Sequence, residues 1–227
     1  MKYDKSKITI IVPAKNEGEG LRKILSSIKK YAKEIIVVDG HSKDDTKEIT
    51  LAENTKYILD AGIGRGEGVR RGLKRARGEI IVLFDADGSP PEKDIPKLVL
   101  PLLNNQADLV VGSRRTGGSF DVKISLDGIL RAMGCDFLVL LVNKKFKTNL
   151  TDLLFSYRAI KKSIISDLKL QANGFDLEQE MIVEALKKGY RVSEIPIREN
   201  ARKWGKSKLN TITGVKLLFL LVKQLYF

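Results

Sequence analysis

The side chains best placed to do chemistry sit in Asp85-Ala86-Asp87-Gly88-Ser89-Pro90-Pro91, immediately after an apolar run over residues 80–84. That run reads as a buried parallel strand, and the glycine and prolines behind it forbid continuation. Residues two apart on a strand point to the same side, so Asp85 and Asp87 converge where the strand ends. Two carboxylates aimed at one point repel unless a cation lies between them, and hard divalent ions prefer oxygen ligands. The pair is therefore either a metal site at the carboxyl end of a strand or a solvated acidic turn.

The elements around it alternate. Residues 8–12 form a strand closed by Pro13, and a polar loop leads from there into a helix over 21–31. Residues 35–38 form a second strand ending in Asp39-Gly40-His41-Ser42, with Ser42 as the expected N-cap of a helix over 43–54. A short third strand spans Lys56–Leu59, and a glycine-dense loop over 62–68 precedes a basic helix over 69–77. After Pro91 a helix runs over 93–103. Alternating strands and helices predict a parallel sheet with helices on both faces, and ligands of such sheets bind outside the carboxyl ends of the strands. The loops 13–17, 39–42 and 85–89 all fall on that edge. Further along, residues 108–115 form a strand with a basic end, 177–189 an amphipathic helix and 191–197 a late strand. With no internal repeat, the simplest division is one domain over 1–210 and a C-terminal amphipathic helix over 211–227.

The totals bound the function. Lys and Arg number 41 against 28 Asp and Glu in 227 residues, a net charge of +13 that favours anionic partners. A single cysteine, Cys135, excludes an intrachain disulfide and suggests a reducing compartment. A lone histidine, His41, argues against a histidine metal site or a Ser/His triad. The polar start of the chain leads us to expect no secretory signal, and no stretch has the roughly 18–20 apolar residues of a spanning helix.

Four local patterns, in this order, resemble the family 2 glycosyltransferases of the GT-A fold. They are Ile11-Val12-Pro13-Ala14-Lys15-Asn16-Glu17, then Val37-Val38-Asp39-Gly40-His41-Ser42-Lys43-Asp44-Asp45-Thr46, then Gly78-Glu79-Ile80 through Asp85-Ala86-Asp87, and Val110-Val111-Gly112-Ser113-Arg114. The later half resembles the dolichol- or polyprenyl-phosphate mannose (or glucose) synthase branch. The similar pieces there are Thr151-Asp152-Leu153-Leu154-Phe155-Ser156-Tyr157-Arg158-Ala159, Glu180 with Gly189-Tyr190-Arg191-Val192-Ser193-Glu194-Ile195-Pro196-Ile197, and Arg202-Lys203-Trp204-Gly205-Lys206-Ser207-Lys208-Leu209.

The resemblance implies a Rossmann-like α/β fold, mostly parallel, with C-terminal amphipathic helices. It also implies an inverting enzyme that moves a sugar from a UDP- or GDP-linked donor to a polyprenyl (dolichyl) phosphate. Base and ribose fall to Pro13, Lys15, Asn16, Glu17 and Asp39, with Gly40 and Ser42 beside them. Arg65 becomes a phosphate contact, and Asp85 with Ala86 flanks the diphosphate. Asp85 and Asp87 hold Mg²⁺ or Mn²⁺, while Ser89 stands where the family usually has a glutamine ligand, so its hydroxyl or a water must substitute. Arg114 matches a phosphate-holding position at the catalytic centre, and Arg131, Arg202 and Lys208 match the acceptor phosphate. A lipid monophosphate is already anionic and needs no general base. A sugar hydroxyl must lose a proton to a carboxylate, and Asp152 and Glu180 are then the candidates.

Leu126–Phe146 and residues 213–227 are apolar with basic interruptions, as in helices lying in a membrane interface; a core helix is the alternative for the first, and interface docking is the expectation for the second. The expected location is peripheral, on the cytoplasmic face of a membrane, with self-association left open. A nucleic-acid-binding protein is supported by charge alone, without an aromatic platform, and no nucleic acid partner is expected. A nucleotidyltransferase should show a glycine-rich basic loop after the first strand. A catalytically silent member of the GT-A fold finds its best argument in Ser89.

Overall fold

The computed structural model describes residues 3–120, 126–204 and 211–226, with side chains for all of these except 126–132, 211–216 and 226. Its strands are β1 (Ile8–Ala14), β2 (Glu34–Asp39), β3 (Lys56–Leu59), β4 (Ile80–Leu83), β5 (Leu109–Ser113), β6 (Arg158–Lys161) and β7 (Val192–Pro196). They form one sheet in the order β3-β2-β1-β4-β6-β5-β7. β1 runs parallel to β2 and β4, and β2 to β3. β6 is antiparallel to both β4 and β5, and β5 is parallel to β7. The sheet is thus mostly parallel, and strand order reverses beside β1, which opens a crevice at the carboxyl ends of β1 and β4.

The expected first helix is α1 (Gly18–Ile28), followed by α2 (Thr46–Ala52), α3 (Arg65–Arg75) and α4 (Ile95–Leu103). A short α5 (Arg114–Gly117) leads to α6 (Leu126–Phe146), and then come α7 (Lys162–Leu168), α8 (Leu177–Lys187) and α9 (Thr211–Tyr226). Ile10 and Val12 of β1 pack with Leu21, Leu25, Leu98 and Leu102 of α1 and α4 on one face. Ile11 of β1 turns to the other face, which Leu73, Leu168, Met181 and Leu221 of α3, α7, α8 and α9 cover. This two-sided burial explains why the central strands read as unbroken apolar runs.

Three expectations change. α2 starts at Thr46, because Ser42 spends its amide and hydroxyl on Asp39 (2.9 and 2.5 Å) and Asp45 takes the N-cap position. The glycine-dense stretch is largely helix rather than loop: α3 begins at Arg65 after Gly64, whose φ of 142° only glycine adopts readily. A Cβ on Gly66 would lie 2.7 Å from the Ala172 carbonyl oxygen, so these glycines let α3 press against residues 172–174. Finally, α9 is not a free appendage. Leu217, Leu221 and Leu225 are buried, and Gln179 Nε2 of α8 donates to the Leu217 carbonyl at 3.0 Å. Among the described residues no helix is long and apolar enough to cross a membrane.

Candidate active site

A cavity of about 310 Å³ opens at the carboxyl ends of β1, β2 and β4. Of the residues singled out above, Pro13, Lys15, Glu17, Gly40, Arg65, Asp85, Ala86, Asp87 and Arg202 line it. Asn16, Asp39 and Ser42 do not. Asp39 is buried behind the wall, where its Oδ1 accepts from Ser42 and its Oδ2 from the Tyr57 hydroxyl at 2.7 Å. Asn16, held at φ 57°, donates its amide to Ser42 Oγ and accepts from the Lys43 amide, both at 2.8 Å. These three tie the loop after β1 to the loop after β2, so they shape the cavity without facing it.

Asp60 and Phe175 also line the cavity. Asp60 follows β3 directly, as Asp39 closes β2, and its Oδ1 accepts from the Gly62 amide at 2.7 Å. A carboxylate at the carboxyl end of a third parallel strand is a signal the sequence does carry. Phe175 carries none. It arrives on the segment before α8, and its ring lies 5.9 Å from the Arg65 guanidinium.

Asp85 and Asp87 stand together at the centre. Arg65 Nη2 donates to Asp85 Oδ1 at 2.7 Å, and the Ser156 hydroxyl donates to Asp85 Oδ2. Arg65 also pairs with Glu178 Oε1. Arg202 Nη1 lies 2.9 Å from Asp87 Oδ2, and the Ser89 amide donates to Asp87 Oδ1 at 2.9 Å. Burial pushes the Asp85 carboxyl up, and Arg65, Ser156 and Arg202 together more than offset this, leaving it below its ordinary 3.8. The Asp87 carboxyl sits above that value, first through burial and then through the charge of Asp85, which Arg202 does not cancel.

Two converging carboxylates whose repulsion remains uncancelled form an oxygen-only donor set suited to a hard divalent ion. Among the described residues no third His, Cys, Asp or Glu joins them, so other ligands must come from substrate oxygens and water. Ser89 is buried, does not line the cavity, and gives its amide to Asp87. Its role is to orient that carboxylate.

Arg202 reaches the site because its segment is laid along the turn after β4. The Asn200 amide donates to the Ser89 carbonyl at 2.9 Å and the Lys203 amide to the Asp87 carbonyl at 3.0 Å. Trp204 then packs over Gly20 and Gly88, where an added Cβ would lie 2.3 and 2.6 Å from its ring.

Arg202, expected at the acceptor phosphate, is thus in the cavity beside Asp87, whereas Arg114, Asp152 and Glu180 lie outside it. Arg114 follows Ser113, whose hydroxyl accepts from the Arg115 and Thr116 amides. Its Nε and Nη2 fork onto Asp152 at 2.7 and 3.0 Å, and Asp152 accepts further from the Leu154 and Phe155 amides, each at 3.1 Å. Neither residue lines the cavity, and so saturated a carboxylate does not fit the role of a proton acceptor. Glu180 does not line the cavity either: both its oxygens accept from the Gln171 and Ala172 amides at 3.0–3.1 Å, which anchors the loop before α8. Residues two apart on a helix point to different sides, and on α8 it is Glu178 that faces Arg65. The Arg131 side chain and Lys208 lie outside the described residues.

A sheet of this topology, with a carboxylate pair and two arginines in the crevice at its strand ends, defines an α/β protein built to hold an anionic ligand. The model of glycosyl transferase family 2 matches residues 9–168, and the chain belongs to that family. An uncharacterized protein of Methanocaldococcus jannaschii is 36% identical, covering 99% of this chain and 94% of its own length. Dolichol-phosphate mannosyltransferase of Pyrococcus furiosus is 28% identical over 97% of this chain, which spans 63% of that longer protein. Among solved structures, glucosyl-3-phosphoglycerate synthase from Mycobacterium tuberculosis, in complex with Mn²⁺, UDP and glucosyl-3-phosphoglycerate, superposes with a TM-score of 0.76. It is 20% identical, covers 97% of this chain and 80% of its own, and shares the fold.

Proposed function

We propose that the chain moves a sugar, with inversion, from a UDP- or GDP-linked donor to a polyprenyl phosphate, using Mg²⁺ or Mn²⁺. The observation that carries the choice of acceptor is the state of Asp152 and Glu180. A hydroxyl acceptor needs a carboxylate to take its proton, and these two are already committed to Arg114 and to backbone amides. A phosphate monoester arrives as an anion and needs neither.

For the donor, the cavity joins carboxylate and backbone groups at its Pro13 to Glu17 end with the cations Arg65 and Arg202 beside Asp85 and Asp87. Guanidinium groups pair with phosphate oxygens in fork geometry. Asp85 and Asp87 would hold the divalent ion, which supplies positive charge to the departing diphosphate as the sugar–oxygen bond breaks. Arg65 and Arg202 orient that diphosphate, and Ser89 and Ser156 fix the two carboxylates.

A membrane surface is part of the proposal. Met133, Phe137 and Leu140 are exposed at helical spacing on α6, as are Phe219 and Val222 on α9, which packs against it. Lys144, Lys145 and Lys223 lie on the same helices, which suits an interface with anionic lipid. Peripheral attachment at the cytoplasmic face follows from that reading.

The test is a panel of radiolabelled UDP- and GDP-sugars with polyprenyl phosphate in one arm. Phosphoglyceric acid, a ligand named for the solved neighbour, serves in the other. Lipid-extractable label is expected from the first. Label confined to the second overturns the lipid acceptor, and calorimetry without binding of any nucleotide, with or without Mn²⁺, overturns the enzyme. Flotation with anionic vesicles should weaken in Phe219→Glu, which leaves the buried face of α9 intact.

A further inference from the structure

We propose that Arg65 and Arg202 compete with the divalent ion for Asp85 and Asp87, so that the ion enters only together with a nucleoside diphosphate. This rests on the reading that the two carboxylates hold a metal. Each carries a guanidinium: Arg65 Nη2 on Asp85 Oδ1 at 2.7 Å and Arg202 Nη1 on Asp87 Oδ2 at 2.9 Å. Guanidinium stays charged at any pH a protein survives, so loss of the arginine proton does not release the carboxylates. A bare ion must displace both arginines, which leaves Arg65 with Glu178 alone and strips Arg202 of its carboxylate. A diphosphate changes that balance, because its oxygens take the guanidinium forks while supplying further metal ligands.

Two buried atoms without a hydrogen-bond partner point to such a second arrangement: Glu178 Oε2 and Arg202 Nε. Buried polar groups are rarely left unsatisfied, and one that is calls for an explanation. Arg65 already bonds Glu178 through Oε1, so on leaving Asp85 it has an acceptor waiting on the same carboxylate. Arg202 Nε is a donor in reserve for a phosphate oxygen.

The backbone around each arginine is held, which confines the change to side chains. Arg65 opens α3, where the Gly66 amide donates to the Asn173 carbonyl at 2.7 Å. Arg202 sits between Asn200 and Lys203, both bonded to the turn after β4. Each guanidinium pivots over a fixed anchor.

The experiment is calorimetric titration of Mn²⁺ into the full chain, alone and with saturating UDP or GDP, whichever binds. For the wild type, Mn²⁺ alone should bind at least tenfold more weakly than Mn²⁺ with nucleotide. Arg65→Gln should bind Mn²⁺ alone at least tenfold tighter than the wild type. Arg202→Gln, altered at a side chain 28% exposed, should gain likewise, and it stands in if the first variant does not fold. Foldedness is read from thermal melts. Variants that bind Mn²⁺ alone no tighter than the wild type, while all bind it with nucleotide, overturn the competition and leave the metal site standing. Absence of Mn²⁺ binding by every protein, with nucleotide bound, overturns the metal reading and this inference with it.

Discussion

Asp87 and Asp152 are both buried and both face an arginine, yet their surroundings have opposite electrostatic outcomes. Asp152, 7% exposed, is forked by Arg114 and accepts from the Leu154 and Phe155 amides. Burial works to raise its carboxyl, and Arg114 with those amides holds it below 3.8. Asp87 has one arginine and the Ser89 amide, and burial first, then the charge of Asp85 beside it, keep it above that value. A satisfied ion pair does structural work because nothing is left over to bind with. An over-charged pair stores repulsion that a cation relieves, and that repulsion marks a site for a ligand.

The hardest test of the contrast is Asp87→Ala. Sugar transfer, followed by release of nucleoside diphosphate, should fall by about 10³-fold, equivalent to about 4 kcal/mol of transition-state stabilisation. The melting temperature should fall less than in Asp152→Ala, since relief of the like charge of Asp85 offsets loss of the Arg202 pair. A large drop in stability would erase the distinction between the two carboxylates.

Asp152→Ala should do the reverse. Stripping a buried carboxylate from its guanidinium and amides should cost roughly 2–4 kcal/mol in urea unfolding, at the lower end because Arg114 is about a third exposed and screened. The sign with pH follows from the depressed carboxyl. Its stabilising contribution is complete above the ordinary value of 3.8 and is lost as pH falls through the lower folded value. Unfolding measured in pH steps should therefore show a steeper acid limb below pH 3.8 in the wild type than in Asp152→Asn.

A subtler probe acts on Asp87 from a distance. Gly20→Ala puts a methyl into the Trp204 ring, which lies beside the residues that carry Arg202 to the site. Overpacking of this kind costs about 1–3 kcal/mol. A rise of roughly tenfold in donor KM, with kcat less affected, would show that Trp204 positions Arg202. The smallest effect is expected from Glu180→Gln, which keeps an acceptor for the Gln171 and Ala172 amides. Turnover should change by less than about threefold, roughly 0.6 kcal/mol. A loss of 10²-fold would return Glu180 to the chemistry and break the assignment of a phosphate acceptor.

Much of the parallel half of the sheet is legible from residues alone. Apolar runs bounded by Pro13, by Asp39-Gly40 and by Gly88 to Pro91 are local signals, and they place the loops on the edge where the cavity opens. The helix Leu126–Phe146 is likewise read to its ends. β6 is not legible. It is four residues long, it is reached after a long helix, and it gains its place only by antiparallel pairing with β4 and β5. Arg158 within it looks like a surface cation. It is instead fully buried, drawn down to about 10 by that burial and bonded to the Leu153, Phe155 and Glu178 carbonyls.

The sequence by itself determined that two carboxylates would fall in the turn just past β4, because an apolar run and the glycine and prolines that stop it act within a few positions. Which other groups meet them was decided only by the tertiary structure. Glu178 instead of Glu180 reaches Arg65, across 113 residues. Asp60 lines the cavity while Asp39 is taken by Tyr57 and Ser42. Ser89 turns toward Asp87 and away from the cavity. Carboxylates are interchangeable to local pattern, and each acquires its role from donors that other elements bring to it.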